Sequence, residues 1–498
     1  MDHHRLILGV LLPGFTGTTA PAWLLQAAEE GLGGVVLFAH NTPDIATTRS
    51  LTDSLHEAYP GLLVTIDEEG GDVSRLQAAT GSDLPGAAAF GAAGDPELTE
   101  RGGAALGALL RSAGVDVDLA PVLDVASEPR NPVIGVRAFH TDTEQTAAHG
   151  AAFTRGLQAG GVAACGKHFP GHGATTVDSH LTLPVLDADR EVFMTRDLPP
   201  FTAAAEAGLD SVMTGHLHIP ALGPAPASLE PAVTELVRAL PGGQEIAIIT
   251  DALDMGAVAG ADQETFGEAC VRALEAGADL LCLGSTAGRD DQEMFQLAYD
   301  AIAEAVQAGR LSSELLSQAV NRAETLRRRV RSYRADAQEL GAEEALNAVA
   351  AAGAEAARKA VRVVQGDPVR SGDPVLVDLR QKINQAAGRV TPGFWRALQQ
   401  RHPQAQVLAP EDPQELAGIT PGSAVIALTR EPLADPEEQR LLDELLRAQP
   451  EAVVVHGGTA ASAPEVGSAA LVLAHGVGRA NAQAVLDLIF GDTDSRES

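Results

Sequence analysis

The first two thirds of this 498-residue chain repeat one pattern of apolar and polar positions. A short apolar run is followed by a turn and then by a longer segment rich in Ala, Leu and Glu. Apolar runs of this kind, alternating with helical segments, are typical of parallel strands covered by helices. The eight runs read LILGVLLPGF, GGVVLFAHN, LLVTIDEEGG, VDVDLAPVLD, GVAACGKHFP, DSVMTGHLH, EIAIITDAL and DLLCLGST. Eight such units predict an α/β fold, a (β/α)8 TIM-type barrel over residues 1–335.

The pattern changes from about Ser332. The segment RADAQELGAEEALNAVAAAGAEAARKAVRVV predicts one long Ala-rich helix, with residues 336–360 as the link to a second domain. Five further apolar runs over residues 361–498 predict a smaller C-terminal α/β domain with a parallel sheet between helices. Few ionisable residues end these runs, so we expect a scaffold or interface role for this domain.

Polar or ionisable residues end most of the barrel strands, where catalytic groups of such barrels lie. A single Asp or Asn there could simply cap the next helix. Lys and His are not preferred caps, so the set as a whole predicts an active site at this end of the barrel. The strand-end residues are Asn41, Asp67, Asp124, Lys167, His168, His216 and Asp251.

Composition narrows the possible partners and the compartment. The formal net charge of −32 disfavours binding to nucleic acid or to an anionic membrane surface. Cys165, Cys270 and Cys282 are odd in number and lie in apolar runs, which predicts buried thiols in a reducing compartment. The N-terminus lacks the basic start and the cleavage site of a signal peptide, and no apolar run reaches roughly 18 residues. We therefore expect a cytoplasmic protein.

The segment GKHFPGHGATTVDSHLTLP, residues 166–184, collects many titratable groups on what the pattern predicts to be a loop. A metal site, a loop that transfers protons and an ordinary solvated loop are the three interpretations. His168 and His172 are four residues apart, but Pro170 breaks the helix that would align them. Lys167 would also repel a cation at this level. The metal hypothesis is therefore disfavoured, and we predict no metal and no cofactor.

A second histidine pair keeps the metal hypothesis open as a minor alternative. His216 and His218 are two residues apart, so in a strand their side chains would share a face. Imidazole pairs of this kind suit zinc and similar ions.

Proton transfer accounts for more of the pattern. Asp178 and His180 are two apart, so the carboxylate could orient the imidazole while its other nitrogen exchanges a proton. Asp251 follows a buried strand, which would hold this carboxylate rigidly at the mouth of the barrel. One carboxylate with one acid/base unit is the minimum set for retaining glycoside hydrolysis.

Five more residues could hydrogen-bond the hydroxyl groups of a sugar. Arg75 and Arg137 could instead form salt bridges within the acidic rim of the barrel. The five residues are Asp67, Arg75, Arg137, Lys167 and His168.

The motif KHFPGHG followed by DSH resembles the hallmark of the bacterial β-N-acetylglucosaminidase branch of glycoside hydrolase family 3. The resemblance covers residues 1 to about 335, and the second domain resembles that of two-domain members more weakly. Further matching stretches are LFAHN, DEEGGDVSRL, APVLDV, IGVRAF, VMTGHLHIP, PASLEP, TDALDM and AGADLLCLG.

The resemblance implies a role for each matching residue. Asp251 would be the nucleophile that forms a covalent glycosyl-enzyme, and His180, assisted by Asp178, would be the proton donor and later the acceptor. The five residues above would bind the terminal N-acetylglucosamine. The implied substrate is a peptidoglycan fragment in which this sugar is linked to a muramic acid unit. No metal is implied, and we expect a monomer or a weak homo-oligomer.

The chain departs from the family pattern at four positions. Asp72 stands where Arg is common, and Glu68 stands where Gln or His is usual. Ala138 replaces a frequent Ser, and Glu230 replaces a common Ser or polar residue. None of these is the nucleophile or the acid/base unit. We expect Asp72 and Glu68 to add negative charge near the substrate mouth, which would weaken the use of anionic muramyl fragments.

Three alternatives to this enzyme remain. The same site could serve a β-glucosidase of mixed specificity or a phosphorylase, because a histidine acid/base tolerates an anionic acceptor. A sugar-binding protein without activity is the second alternative, and the metal-dependent hydrolase is the third.

Overall fold

The first eight strands curl into a barrel in chain order. The computed structural model describes residues 2–177, 183–258, 263–284, 289–381, 393–419 and 422–491. The barrel strands are β1 (Leu11–Leu12), β2 (Gly34–Leu37), β3 (Leu63–Ile66), β4 (Val117–Asp118), β5 (Ala163–Phe169), β6 (Ser211–Thr214), β7 (Ala247–Thr250) and β8 (Leu281–Cys282).

Parallel pairing joins β2 to β7 in sequence, and β1 pairs with β8. A bridge between Ile249 and Leu280 connects β7 to β8, and the Val36 amide donates to the Pro13 carbonyl at 3.1 Å beside β1. The TIM-type barrel predicted from the sequence is confirmed.

Helices surround the barrel and continue into the link. They are α1 (His3–Leu8), α2 (Ala22–Glu30), α3 (Ile45–Ala58), α4 (Ala87–Ala93), α5 (Pro96–Ser112), α6 (Thr143–Ala159), α7 (Arg190–Arg196), α8 (Pro199–Glu206), α9 (Pro231–Ala239), α10 (Gln263–Glu275), α11 (Asp291–Gln307), α12 (Ser313–Asp336) and α13 (Ala342–Ala360).

The first apolar run does not form one strand. Its first half is helix α1, whose N-cap Asp2 accepts a hydrogen bond from the Arg5 amide. Leu6, Ile7 and Leu8 are buried in that helix. A short continuous apolar run can be buried as a strand or as a helix, so periodicity alone did not separate the two.

The Ala-rich segment is also interrupted. Helix α12 ends at Asp336 and α13 begins at Ala342, so the predicted single long helix is wrong. The VRVV end of the segment forms strand β9 (Arg362–Gln365), whose residues are all exposed. An exposed edge strand lacks the buried apolar run by which the other strands are recognised.

The C-terminal domain begins at β9 and contains one sheet. Its other elements are β10 (Pro374–Asp378), α14 (Gly393–Arg401), β11 (Gln406–Leu408), β12 (Ala424–Thr429), α15 (Pro436–Ala448), β13 (Val453–His456), β14 (Ala470–Leu473) and α16 (Arg479–Phe490). The sheet has six strands in the order β11–β10–β12–β13–β14–β9. Five of these strands are parallel as predicted, and β9 is antiparallel to β14.

Within the described ranges, no helix is both long enough and apolar enough to cross a bilayer.

Glycines bring helices α5 and α6 into backbone contact. A Cβ at Gly103 would lie 3.2 Å from the Cα of Gly156, and one at Gly107 would lie 3.0 Å from the Cα of Gly160. This close approach explains part of the high glycine content, because any side chain here would separate the two helices.

Gly156→Ala should therefore destabilise the barrel, since its new Cβ would lie 2.3 Å from the Glu100 carbonyl oxygen. Overpacking of this kind costs about 1–3 kcal/mol, to be measured by urea unfolding. Gly418→Ala is the control, because no described residue other than its two chain neighbours and the backbone of its own short helix comes within 4 Å of that Cβ position. Equal unfolding midpoints for the two variants would contradict the packing argument.

Candidate active site

The candidate residues converge at the carboxyl ends of the barrel strands. Asp67 directly follows β3, Lys167 and His168 lie within the last residues of β5, and Asp251 directly follows β7. Parallel strands place these positions at one end of the barrel.

Lys167 occupies the centre of this group and is 1% exposed. Its Nζ lies 2.6 Å from Asp67 Oδ1 and 2.7 Å from Glu69 Oε1. Burial by itself would lower the pKa of this lysine, but the two carboxylates outweigh burial and the pKa is raised. Lys167 is therefore a charged group that holds two carboxylates side by side.

Glu69 is the second centre of charge. Arg137 donates to it through Nε at 2.9 Å and through Nη2 at 2.8 Å, and both side chains are 5% exposed. Burial would raise the pKa of Glu69, but the Arg137 and Lys167 cations dominate and lower it. Two-point pairing of this kind fixes the orientation of the guanidinium as well as its position.

Asp67 is paired on its other side with Arg75, at 3.5 Å between Oδ2 and Nη2. Burial opposes ionisation of Asp67, yet Lys167 and Arg75 outweigh it and its pKa is lowered. Arg75 and Arg137 thus both form salt bridges, which is the alternative to sugar contacts that the sequence left open. The side chain of Asp67 remains 19% exposed, more than those of its partners.

His168 is oriented by Asp124, which follows β4. Its Nδ1 lies 2.7 Å from Asp124 Oδ2, and its Nε2 lies 3.2 Å from Arg137 Nη2. An arginine can only donate, so Nε2 accepts and the ring proton belongs on Nδ1. Burial would raise the pKa of Asp124, but His168 and His172 together outweigh burial and the pKa is lowered.

His172 is tied to the same carboxylate through its backbone. Its amide donates to Asp124 Oδ1 at 2.6 Å, and its ring Nδ1 lies 2.8 Å from Thr175 Oγ1. Asn131 Nδ2 donates to the His172 carbonyl at 2.9 Å. Burial lowers the pKa of His172 to about 4. Asp124 therefore holds both histidines of the KHFPGHG motif.

Asp251 lies at the edge of this network. Its amide donates to the Thr214 carbonyl at the end of β6 at 3.0 Å, and its Oδ1 accepts from the Ala252 amide at 2.8 Å. Its charge contributes to the pKa of His172. The predicted nucleophile is thus held by backbone contacts at the same end of the barrel as the cations.

Asp178 and His180, the predicted acid/base pair, lie outside the described residues, which stop at Val177 and resume at Leu183. Their roles stay a prediction.

Two of the departures from the family pattern do not act as expected. The carboxylate of Glu68 accepts the amides of Arg75 and Leu76 at 2.8 and 2.9 Å, and Glu68 is 1% exposed. The side chain of Asp72 is 6% exposed and lies 3.5 Å from Arg430 of the C-terminal domain. Neither carboxylate adds exposed negative charge at the mouth, because each is turned into protein.

The His216 and His218 rings bind protein oxygen atoms. His216 Nδ1 lies 2.7 Å from Ser228 Oγ and its Nε2 lies 2.9 Å from the Ala252 carbonyl. His218 Nε2 lies 3.2 Å from the Gly223 carbonyl. Across the described ranges, no group of three His, Cys, Asp or Glu side chains has an arrangement suited to a metal ion.

Sequence reasoning gave no role to Glu69 and none to Asp124 beyond its strand-end position. The available signal was Lys167 itself, because a lysine on a central strand needs carboxylates on the neighbouring strands. Asp67 and Glu69, which follow β3, meet that need, whereas Asp124 after β4 pairs with His168.

Comparison with known proteins shows the family of the chain. Residues 19–326 match the glycosyl hydrolase family 3 N-terminal domain, and the chain belongs to that family. The membership confirms the prediction of a glycoside hydrolase.

The chain is also similar to two β-hexosaminidases and to one solved structure. β-Hexosaminidase A of Pseudoalteromonas piscicida is 33% identical over 331 residues, 61% of this chain and 55% of that protein, so the chain spans about half of its length. β-Hexosaminidase of Xylella fastidiosa (strain 9a5c) is 34% identical over 337 residues, 62% of this chain and 98% of that protein. A family 3 β-N-acetylglucosaminidase from Paenibacillus sp. str. FPU-7 superposes with a TM-score of 0.85 at 29% identity, covering 98% of this chain and 96% of that chain.

Asp124→Asn should lower kcat/KM for an aryl glycoside roughly 10-fold or more, because a charge-assisted hydrogen bond contributes about 1.5–3 kcal/mol. Asp210→Asn is the matched control. Asp210, just before β6, is also a buried carboxylate, and it accepts a hydrogen bond from the Ala164 amide of β5. This variant should lower stability and leave KM unchanged. An Asp124→Asn enzyme with wild-type kcat/KM would contradict the orienting role.

The low pKa of His172 predicts acid destabilisation. Between about pH 6.5 and 4 the unfolded chain binds a proton at this histidine and the folded chain does not. The free energy of unfolding should therefore fall as the pH decreases through this window, by at most about 1.4 kcal/mol per pH unit for this group. Urea unfolding at several pH values should show a shallower dependence for His172→Gln. Parallel curves for both proteins would refute the assignment.

Proposed function

We propose that this protein is an exo-acting, retaining β-N-acetylglucosaminidase that removes terminal non-reducing N-acetylglucosamine from β-glycosides. The observation that carries the proposal is the cluster around Lys167. It gathers Asp67, Arg75, Arg137 and His168 at the end of the barrel where Asp251 follows β7, and family 3 membership supports the same conclusion.

The cluster is suited to a neutral polyol. Asp67 can accept hydrogen bonds from sugar hydroxyl groups, while Lys167 and Arg75 can donate to them. These side chains are already paired with one another, so their orientation is set before a sugar binds. A preorganised site of this kind loses little side-chain entropy on binding.

The proposed reaction has two displacements. In the first, a carboxylate oxygen of Asp251 attacks the anomeric carbon while His180, oriented by Asp178, protonates the departing glycosidic oxygen. In the second, neutral His180 takes a proton from water, the water oxygen attacks the anomeric carbon, and the bond to Asp251 breaks. Net retention of the β-configuration follows.

The proposed natural substrates are peptidoglycan fragments that carry N-acetylglucosamine on a muramic acid unit. The inward orientation of Glu68 and Asp72 removes the expected electrostatic objection to an anionic aglycone. The N-acetyl sugar is supported by the similarity to the Paenibacillus β-N-acetylglucosaminidase. A cytoplasmic site of action is part of the proposal, and the buried free thiols of Cys165, Cys270 and Cys282 support it.

The first test compares an aryl β-N-acetylglucosaminide with the matching β-glucoside, each in buffer with and without phosphate. We expect faster release from the N-acetyl substrate, no glycosyl phosphate, and loss of release in Asp251→Ala by several orders of magnitude, because the nucleophile is gone. Asp142→Ala, which removes an exposed N-cap of α6, is the control and should retain activity. Preference for the glucoside, or formation of a glycosyl phosphate, would replace the proposed specificity by one of the alternatives.

A second test separates the role of His180. His180→Ala should reduce turnover severely for substrates with poor leaving groups and mildly for activated aryl glycosides, whose departure needs little protonation. The measurement is kcat/KM over a series of leaving groups. The same loss across the whole series would show that His180 is not the proton donor.

A further inference from the structure

The loop between β3 and α4, residues 67–86, is covered by the C-terminal domain. Arg430, directly after β12, pairs with Asp72 of this loop at 3.5 Å. Arg479 at the start of α16 pairs with Asp83, and Arg396 of α14 donates to the Ala79 carbonyl. The same β3–α4 loop carries Asp67, Glu69 and Arg75. The second domain therefore packs against the loop that holds two of the proposed sugar-binding residues, Asp67 and Arg75.

Asp72 lies at the tip of a tight turn. Val73 N donates to the Gly70 carbonyl at 3.2 Å, and Glu69 N donates to the Val73 carbonyl at 3.0 Å. Gly71 has φ 59°, and a Cβ at Gly478 of the C-terminal domain would lie 3.5 Å from the Gly71 Cα. The two domains therefore meet at backbone distance on this turn.

Arg430 and Asp72 form a buried pair across this interface. Their side chains are 8% and 6% exposed, and Asp72 Oδ1 has no hydrogen-bond partner within the described residues. Glu438 holds Arg430 in place by accepting its amide at 2.5 Å. A carboxylate buried to this degree depends on its cation, because an uncompensated charge in protein is strongly unfavourable.

A shift of the turn would reach the active site directly. Glu69 is hydrogen-bonded to Val73 across the turn and is the shared partner of Lys167 and Arg137. Arg75 lies two residues beyond Val73, and its amide is held by Glu68. A movement of Asp72 would therefore displace Glu69 on one side of the turn and Arg75 on the other.

We propose that Arg430 is a positioning residue for the barrel's active site, and that the C-terminal domain acts through the Arg430–Asp72 pair to fix the turn that sets Glu69 and Arg75. The inference rests on the sugar-binding role proposed above. It also explains why this chain has Asp at position 72, where the family resemblance predicts Arg. The carboxylate has a cationic partner that only a second domain supplies.

The Xylella relative is a shorter protein. The 337 residues that align with it make up 98% of that protein, which leaves no room for a second domain of this size. A barrel without a second domain has no counterpart of Arg430 and needs no acidic partner for it.

The test measures KM and kcat on the aryl β-N-acetylglucosaminide for Arg430→Ala, Arg430→Lys, Asp72→Ala and the double variant Asp72→Ala/Arg430→Ala. We expect Arg430→Ala to raise KM about 10-fold or more with a smaller change in kcat, and Arg430→Lys to restore part of the loss. The double variant should be no worse than Arg430→Ala alone, because it removes the buried Asp72 carboxylate that Arg430→Ala leaves unpaired, and the contact of Arg430 with Glu431 is lost in both variants. Additive losses, or a fall in kcat alone that matches a fall in folded fraction, would overturn the proposal.

Arg101→Ala provides the matched control. Arg101 of α5 pairs with Glu355 of α13 at 3.0 Å, so this variant breaks a contact between the barrel and the link without touching the β3–α4 loop. Its KM should equal that of the wild type. An equal rise in KM for Arg101→Ala would show that any loosening of the second domain has the same effect, against a specific role for Arg430.

Limited trypsin digestion separates this inference from the proposed function. The side chain of Arg75 is 11% exposed in the folded protein, and release of the turn should expose the bond that follows it. Arg430→Ala should be cleaved after Arg75 several times faster than the wild type and Arg101→Ala. If the wild type hydrolyses neither substrate, the proposed function fails while this result still decides the positioning role. Unchanged cleavage would overturn it.

Discussion

The buried charge of Lys167 is the constraint on which the rest of the site depends. A lysine that is 1% exposed inside a barrel strand requires carboxylates at contact distance, and Asp67 and Glu69 provide them at 2.6 and 2.7 Å. These carboxylates need further cations in turn, so Arg75 and Arg137 are held as well. The result is a compact group of alternating charges whose geometry is set before any substrate arrives.

This arrangement spreads outward through a few side chains. Arg137 connects the charged group to His168, and Asp124 connects His168 to the backbone of His172, which precedes Asp178 and His180 in the sequence. In the other direction, the turn at Asp72 connects the group to Arg430. The barrel therefore does not hold its site alone, because the second domain pairs with the turn that lies between Glu69 and Arg75.

Much of the fold was predictable because its elements are long or strongly periodic. The eight barrel runs and five strands of the second domain were found, since buried parallel strands read as continuous apolar runs. Helix α1, the break after Asp336 and strand β9 were missed. Each of these depends on a cap or an edge position, which hydrophobic patterning does not encode. For the site, the motif predicted Lys167 and His168 and the strand-end position predicted Asp251, but neither could pair Glu69 with Arg137, which are 68 residues apart.

Residue types and their order were enough to predict the barrel, the end at which the site lies and the family chemistry, because strand periodicity and short motifs are local properties. The tertiary structure decided where each charge is directed. Glu68 and Asp72 were expected to face the substrate, yet one binds backbone amides and the other binds a second domain. A buried carboxylate turns to its nearest donors, and which donors are nearest depends on how distant segments pack.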